Sequence, residues 1–164
     1  MPLLSLNINC AILFQQNKPL RGENALLRTI LFSGESGLSF GANAGLSLVR
    51  IFAGVLLALA HGLGKLPPSE GLITGTANLG FPMPTLFAWA AGLSQFGGGI
   101  LLALGFLTRF AGFFIAFTML TALIGVHRAD PFAKQELAFL YLFIALTFMI
   151  KGANDWSIDG FFRK

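Results

Sequence analysis

Four residues with acid–base or ligand chemistry stand at the ends of strongly apolar stretches in this 164-residue sequence. His61 and Lys65 lie four residues apart in "LLALAHGLGKLPPSEG", and His127 and Glu136 flank a later break between two apolar runs. Imidazole donates or accepts hydrogen bonds and protons near neutral pH, and it binds metals. These four residues are therefore the first candidate polar site.

Metal and haem chemistry lack local sequence support at this site. Two histidines with one carboxylate could hold a zinc ion, but no HExxH-type motif accompanies His61, His127 and Glu136. Two histidines could also ligate a haem, yet "AHG" and "VHR" carry no distinguishing context. We expect no metal and disfavour haem. A plainer alternative stays open, in which both histidines hydrogen-bond the backbone at helix ends.

A single amide, Gln95, lies deep within the apolar segment "GLSQFGGGILLALGFLTRF". An intramembrane polar group is a candidate for function, whereas a hydrogen bond between helices, worth roughly 1 kcal/mol, would be purely structural. We favour the structural interpretation for a neutral amide. The glycines that follow leave room for a neighbouring helix: Gly97, Gly98 and Gly99.

Composition indicates that lipid surrounds most of the chain. Hydrophobic residues make up 55% and charged residues 11%, whereas about a quarter of a soluble domain is charged. The net charge of +4 comes from scattered Lys and Arg, without the basic patch that nucleic-acid binding requires. The one cysteine, Cys10, excludes an internal disulfide, and the apolar start "MPLLSLNINCAILF" lacks the positive charge of a secretory signal.

Four apolar segments predict four membrane-spanning helices, at 46–64, 83–107, 110–126 and 136–150, because a helix needs about 20 residues to cross the hydrocarbon. Phe132 to Lys134 would extend the last one as an interfacial turn. The short connection at Thr108 and Arg109 makes its two helices antiparallel neighbours, and 65–82 reads as a long loop rich in Pro and Gly. The predicted fold is an all-α, integral membrane, antiparallel four-helix bundle over residues 46–164.

Residues 1–45 form a separate N-terminal extension in this interpretation. The stretch "FSGESGLSFGANAG" is typical of a flexible Gly/Ser linker. Before it, "ENALLRTILF" could lie on the membrane surface as a short amphipathic helix. The alternative, which we favour, is an extension that is partly disordered and has no role.

Four crossings return distant polar residues to the same membrane face. His61, Lys65, His127 and Glu136 gather at one face, and the opposite face collects a second cluster. That second cluster comprises Arg50, Arg109, Lys151, Asp155 and Asp159. Its side also carries eight of the eleven Lys and Arg residues, so the positive-inside rule predicts that both termini lie in the cytoplasm.

Helical phase predicts which side chains face the interior of the bundle. On the first helix, small residues would let another helix approach closely at Gly54, Ala58 and Gly62. We expect Lys65 to reach outward to the interface along its stem, His61 to point inward toward His127 or Glu136, and Arg50 to pair with Asp155 or Asp159. On the fourth helix, the stripe expected to face inward is Glu136, Leu140, Phe143, Thr147 and Lys151.

These residues resemble the DoxX family of small four-helix membrane proteins over about 46–162. The matching stretches are "LVRIFAGVLLALAHGLGKL", "GGGILLALGFLTR", "ELAFLYLFIAL" and "GANDWSID". The resemblance implies a membrane protein linked to quinone-dependent sulfur oxidation and membrane redox balance. Family members often carry a glutamate where this chain has Gln95, so an acid's role at that position does not transfer.

The resulting functional hypothesis is a redox-associated component or subunit of a membrane complex, without independent catalytic activity. It would sit in the cell membrane, in contact with lipid and with a redox-enzyme partner or a second copy of itself. The first alternative is a quinone-binding oxidoreductase component with its site near His61 and His127, quinone being the cofactor this pattern allows. The second alternative is a small transporter or proton path. The sequence specifies neither a reaction nor a partner.

Overall fold

The computed structural model describes residues 34–163, and these residues form helices joined by short connections, without strands. Within this described part of the chain, four helical stretches are long and apolar enough to span a membrane. The elements are α1 (Phe40–Leu56, continued by a π-helical turn Leu57–Gly62 and a 3-10 turn Leu63–Lys65), α2 (Glu70–Asn78), α3 (Pro84–Leu104), α4 (Thr108–Thr121, continued by a π-helical turn Ala122–Val126), α5 (Phe132–Lys151) and α6 (Ile158–Arg163). The predicted all-α membrane bundle is confirmed.

Local sequence signals explain where these helices begin and end. The hydroxyls of Ser39 and Ser69 accept backbone N–H groups in the first turns of α1 and α2, as serine N-caps do. Pro84 occupies the first turn of α3, where its missing N–H costs nothing. Gly105 ends α3 with a φ of 66°, a left-handed conformation that glycine adopts without strain.

The spanning helices pack in the order α1, α3, α4, α5, and consecutive members of that order contact each other extensively. Glycines allow the closest approaches. A Cβ on Gly54 would collide with the backbone of Gly99 and Ala103 across the α1–α3 contact, and one on Gly112 would collide with the backbone of α5. The buried core between the helices contains Leu57, Leu102, Ile115, Ala145 and Phe148.

Four element boundaries differ from the predicted ones. Helix α1 begins at Phe40 and not near residue 46, because Ser39 caps it, so the second half of the expected Gly/Ser linker is helical. The expected loop 65–82 contains α2. Helix α5 begins at Phe132, directly after Pro131, and the C-terminal tail contains α6. The stretch "ENALLRTILF" lies outside the described residues, and the division of the chain at residue 45 stays a prediction.

The phase expected for the fourth helix is wrong. Leu140 and Phe143, expected to face inward, are 56% and 63% exposed. The buried side of α5 instead carries Tyr141, Ala145 and Phe148. Because α5 is apolar on every side, its periodicity does not distinguish a lipid-facing side from a core side.

Candidate functional site

A side-chain hydrogen bond joins Lys65, at the end of the first helix, to Gln95 of α3. The Lys65 ammonium donates a hydrogen bond of 2.8 Å to Oε1 of Gln95. Gln95 is buried and lies eleven residues, about 16 Å at 1.5 Å per residue, from the start of α3. Lys65 therefore reaches inward, and the expectation that it extends outward to the interface is wrong.

The inward reach of Lys65 follows from where the first helix stops. Its last turn packs beside Gly92, where an added Cβ would contact the carbonyl oxygen of Lys65 at 3.0 Å. Since α3 begins at Pro84, it continues eight residues, about 12 Å, beyond the end of the first helix. This leaves a space beside α3 that no spanning helix fills.

That space is a cavity of about 350 Å³. Helix α2 covers it, and α3 and α4 form its sides, with the π-helical turn Ala122–Val126 contributing both of its end residues. Most of the wall is apolar or aromatic. The lining includes Leu72, Leu79, Phe81, Phe87, Phe114, Phe117 and Val126 as apolar groups, and Lys65, Thr76, Ser94, Gln95, Thr118 and Thr121 as polar ones.

The hydroxyl groups in the cavity wall are hydrogen-bonded to the protein. The hydroxyls of Ser94 and Thr118 lie 2.9 Å apart across the α3–α4 contact, and Thr76 and Thr121 bond to carbonyls one turn earlier in their own helices. Such bonds satisfy the hydroxyls within the wall. The strongest polar group left facing the cavity is the Lys65 ammonium.

The Lys65 charge has no acidic partner in the part of the chain that the structure describes. None of the residues lining the cavity is Asp or Glu, and the ion pairs among residues 34–163 do not include Lys65. Its hydrogen-bond acceptor is a neutral amide. The cavity thus combines apolar walls with one positive charge at its inner end.

The two histidines contact different groups. The ring of His61 packs edge-on against Tyr141 of α5, with ring centroids 5.7 Å apart, and its expected orientation toward His127 or Glu136 is wrong. His127 instead lies 2.8 Å from a carboxylate oxygen of Asp130, in the connection before α5. This hydrogen bond, more than any other contact, lowers the pKa of Asp130.

The other two residues of the first candidate site, Lys65 and Glu136, also have different surroundings. Glu136 is exposed on α5 and lines no part of the cavity, so only Lys65 of the four predicted site residues does. Among residues 34–163, no group of three or more His, Cys, Asp or Glu side chains is arranged to hold a metal ion.

At the opposite end of the bundle, Arg50 is 1% exposed and bonds to backbone carbonyls. It donates to Leu102 and Ala103 at 2.9 and 2.8 Å, at the C-terminal end of α3, and to Trp156 at 2.9 Å. A cation suits the negative end of a helix dipole. Arg50 does not hydrogen-bond Asp155 or Asp159, because its terminal guanidinium nitrogens donate to these carbonyls, but the predicted pairing holds electrostatically for Asp159, whose charge acts on Arg50.

Asp159 caps the next helix. Its carboxylate accepts the backbone N–H groups of Leu107 and Thr108 at 2.8 and 2.9 Å, at the N-terminal end of α4. Arg109 donates to the carbonyl of Ile150 at the end of α5, and Lys151 hydrogen-bonds Glu35. The acidic and basic groups of this cluster therefore hold turns and helix ends in place.

Two asparagines, which the sequence did not single out, complete this end. The amide nitrogen of Asn154 donates to the carbonyl and Oδ1 of Asn43 and to the hydroxyl of Ser47, all between 2.9 and 3.0 Å. Asp155 accepts from Asn43 at 3.3 Å and from Arg163 at 3.1 Å. The bond from Asn43 is the main reason that the pKa of Asp155 lies below its usual value.

We call this network the polar clasp and define it as Asn43, Arg50, Asn154, Asp155 and Asp159. Four of its five members are at most 4% exposed, the exception being Asp155. The sequence does contain a pattern that indicates the clasp, because its polar residues on α1 recur every three or four positions and so share one helical face: Asn43, Ser47 and Arg50. The predicted start near residue 46 hid it by leaving Asn43 in a linker.

Most of the predicted packing residues lie at helix contacts. A Cβ on Gly62 would collide with the backbone at Phe96, and one on Gly99 would meet Ala58 and Gly54 within about 3 Å. A Cβ on Gly98 would approach Ile115 to 3.2 Å. Gly97 differs from the others, since an added Cβ there would meet nothing within 4 Å.

Comparison with known proteins identifies a family match. The DoxX family model matches residues 45–128. A Bacillus subtilis protein named "Putative oxidoreductase CatD" is 29% identical over 73% of this chain and 88% of its own. The Escherichia coli "Inner membrane protein YphA" is 40% identical over 52% of this chain and 61% of its own.

A Haemophilus influenzae protein whose name assigns no function is 34% identical, over 73% of this chain and 92% of its own length. No solved structure gives a significant match. The relatives' names therefore mention a membrane and an oxidoreductase, and they name no substrate.

Proposed function

Because the chain belongs to the DoxX family of membrane proteins, we propose that it is a redox-associated component of a cell-membrane complex, without covalent catalysis of its own. The oxidoreductase name of the Bacillus subtilis relative supports the redox association. The name of the Escherichia coli relative supports the cell membrane.

The observation that carries the non-catalytic part of this proposal is how the polar clasp is bonded. Arg50 and Asp159 direct their side-chain hydrogen bonds to backbone groups, and Asn154 bonds Asn43 and Ser47. Groups held this way stabilise helix ends and are not free to transfer protons to a substrate. The helices meanwhile expose many large apolar side chains, which suit lipid or the helices of a partner.

The test is purification of the full chain from its native membranes in mild detergent. We expect a redox enzyme to co-purify, and deletion of the chain to slow quinone reduction by isolated membranes. A chain that purifies without a redox enzyme, and whose deletion leaves that rate unchanged, would contradict the proposal.

Quinone binding is the second candidate function, and the cavity is the observation that favours it. A quinone needs an apolar slot and hydrogen-bond donors for its carbonyls, and the cavity supplies aromatic walls with Lys65 as a donor. We would therefore place such a site at Lys65 and Gln95, away from His61 and His127. Lipid extraction should then recover quinone from the wild type and from His127→Ala, and much less from Lys65→Met.

We also propose that both termini lie in the cytoplasm, since eight of eleven basic residues fall on their side of a four-helix bundle. A fluorescent protein fused after Lys164 should fluoresce in cells, and an alkaline phosphatase fusion there should be inactive. In a Cys10→Ser background, Ala129→Cys should react with an impermeant maleimide from outside. Active phosphatase at the C-terminus would refute this orientation.

A further inference from the structure

We propose that the cavity binds a single-chain amphiphile with a carboxylate head and that Lys65 is the counter-ion of that head. The inference goes beyond the redox-associated role and does not depend on it. It assigns a ligand class to the cavity between α2, α3 and α4.

The first step is the charge balance at the inner end of the cavity. An ammonium group offers three hydrogen-bond donors, and Gln95 accepts one of them at 2.8 Å. No Asp or Glu lines the cavity. A charge shielded from water is costly unless it is paired, so an anionic head would supply what the surrounding protein lacks.

The second step is the identity of the residue at position 95. Gln95 is 3% exposed and holds the Lys65 ammonium in place, but its amide carries no charge. A glutamate at this position would pair with the ammonium inside the protein and remove its attraction for a ligand. Gln95 therefore orients Lys65 and leaves its positive charge available.

The third step is the kind of anion. One ammonium, with the amide of Gln95 beside it, can match the single charge of a carboxylate. A phosphate carries more charge and more acceptor oxygens, and its sites usually gather several donors or an arginine fork. The donor set at Lys65 therefore fits a carboxylate better than a phosphate.

The fourth step is the tail. Beyond Lys65 the walls are apolar, formed by α2 residues and by phenylalanines of α3 and α4, such as Phe87 and Phe117. The volume of about 350 Å³ lies near the lower end of the roughly 300–1,000 Å³ range of ligand pockets. This space suits one hydrocarbon chain.

The experiment compares two probes that differ only in the head. Full-length protein in phosphatidylcholine nanodiscs at pH 8 is titrated with radiolabelled dodecanoate and with dodecanol, with nanodiscs lacking protein as the partition blank. The variants are Lys65→Met and Gln95→Glu. The matched control is Thr147→Val, at an exposed threonine of α5 that bonds the carbonyl of Phe143 and does not line the cavity. A short-chain quinone is used as a competitor.

We expect wild type and Thr147→Val to bind dodecanoate roughly tenfold to hundredfold more tightly than dodecanol, which corresponds to a hydrogen bond with a charged partner. Lys65→Met and Gln95→Glu should bind dodecanoate no better than dodecanol, while their dodecanol binding stays at the wild-type value and shows that the cavity is intact. If Lys65→Met does not fold, Gln95→Glu alone tests whether the available charge of Lys65 is needed for dodecanoate binding.

Equal affinity of the wild type for the two probes would overturn the proposal, and so would unchanged dodecanoate binding in Gln95→Glu. Quinone binding that dodecanoate cannot displace would also overturn it while supporting the quinone alternative. The redox-associated role is tested separately by the co-purifying enzyme, so either proposal can fail without the other.

Discussion

The two ends of the bundle use charged and amide side chains in opposite ways. At the polar clasp, Arg50 donates hydrogen bonds to three carbonyl groups, and Asp159 accepts hydrogen bonds from two backbone N–H groups. At the cavity, the Lys65 ammonium meets one neutral amide and an apolar space. Both ends bury polar groups, but at the clasp the protein itself supplies hydrogen-bond partners to each charged side chain, whereas Lys65 has no acidic partner among the described residues.

This difference separates residues that stabilise the fold from residues that are available to a ligand. In the clasp, one cation and one anion hold the two helix ends that flank the turn at Gly105. Removing either leaves buried backbone groups without partners, which costs stability. At the cavity, the Lys65 charge has no acidic partner within residues 34–163, which is the expected condition of a group whose partner arrives with a ligand.

The largest effect should come from Arg50→Met, which keeps an unbranched apolar stem and removes the guanidinium. We expect a loss of about 3–5 kcal/mol in the free energy of unfolding, because three carbonyls and a nearby carboxylate lose their partner. Denaturant titration in mixed micelles measures it. Arg128→Met, at an exposed arginine, is the matched control and should change stability by less than about 0.5 kcal/mol. Equal effects at both positions would contradict the clasp.

A smaller effect should come from the contact that joins the two ends, between α1 and α3. Gly99→Ala should cost about 1–3 kcal/mol by pushing α1 and α3 apart, since its Cβ would lie 2.7 Å from the carbonyl oxygen of Gly54. Gly97→Ala, two residues away and facing open space, should cost nothing. The same micelle titration compares them, and a more harmful Gly97→Ala would show that the α1–α3 register is wrong.

Lys65→Met should change the free energy of unfolding by no more than about 1 kcal/mol in the absence of ligand. The substitution leaves Gln95 without its partner, but it also removes a partly buried charge that has no acidic partner among the described residues, and such a charge is itself destabilising. The contrast with Arg50→Met is the test, because both replace a long cation with methionine. A loss at Lys65 as large as the loss at Arg50 would abolish the distinction between the two ends.

The smallest effect concerns pH at the clasp. Hydrogen bonds, chiefly from Asn43, hold the pKa of Asp155 below its ordinary value. The stability that this carboxylate contributes is therefore fully present above the ordinary pKa and is lost as the pH falls through the lower, folded-state pKa. Thermal unfolding followed from pH 6 down to pH 3 should show a steeper loss for wild type than for Asp155→Asn. Parallel curves would exclude this linkage.

The sequence predicted the four spanning helices because long apolar runs have few alternatives. It also placed Arg50, Arg109, Lys151, Asp155 and Asp159 at one end of the bundle, because an even number of crossings determines that grouping. The hydrogen-bond partners of these residues could not be predicted. Their opposite charges suggested ion pairs, but in the folded chain Arg50 donates to backbone carbonyls at the end of α3. Which of several nearby acceptors a cation takes depends on depth and register.

The cavity was missed for a related reason. Hydropathy located the first helix but did not show that it stops beside Gly92, about 12 Å short of the start of α3. Unless this offset between the ends of the two helices is known, Lys65 is expected at the membrane interface and Gln95 is expected to have no side-chain partner. The topology placed both histidines at the same membrane face. Residues at one face need not be in contact, and His61 packs against Tyr141 while His127 hydrogen-bonds Asp130.

The most direct test of the unpaired Lys65 charge is the thermal stability of wild type and Gln95→Glu, each with and without dodecanoate. Without ligand, Gln95→Glu should unfold at a higher temperature, because its carboxylate pairs with Lys65. At a dodecanoate concentration about 100 times its dissociation constant, the wild type should gain about 2.7 kcal/mol, and Gln95→Glu should gain little. Equal gains in both proteins, or no gain in the wild type, would contradict the account.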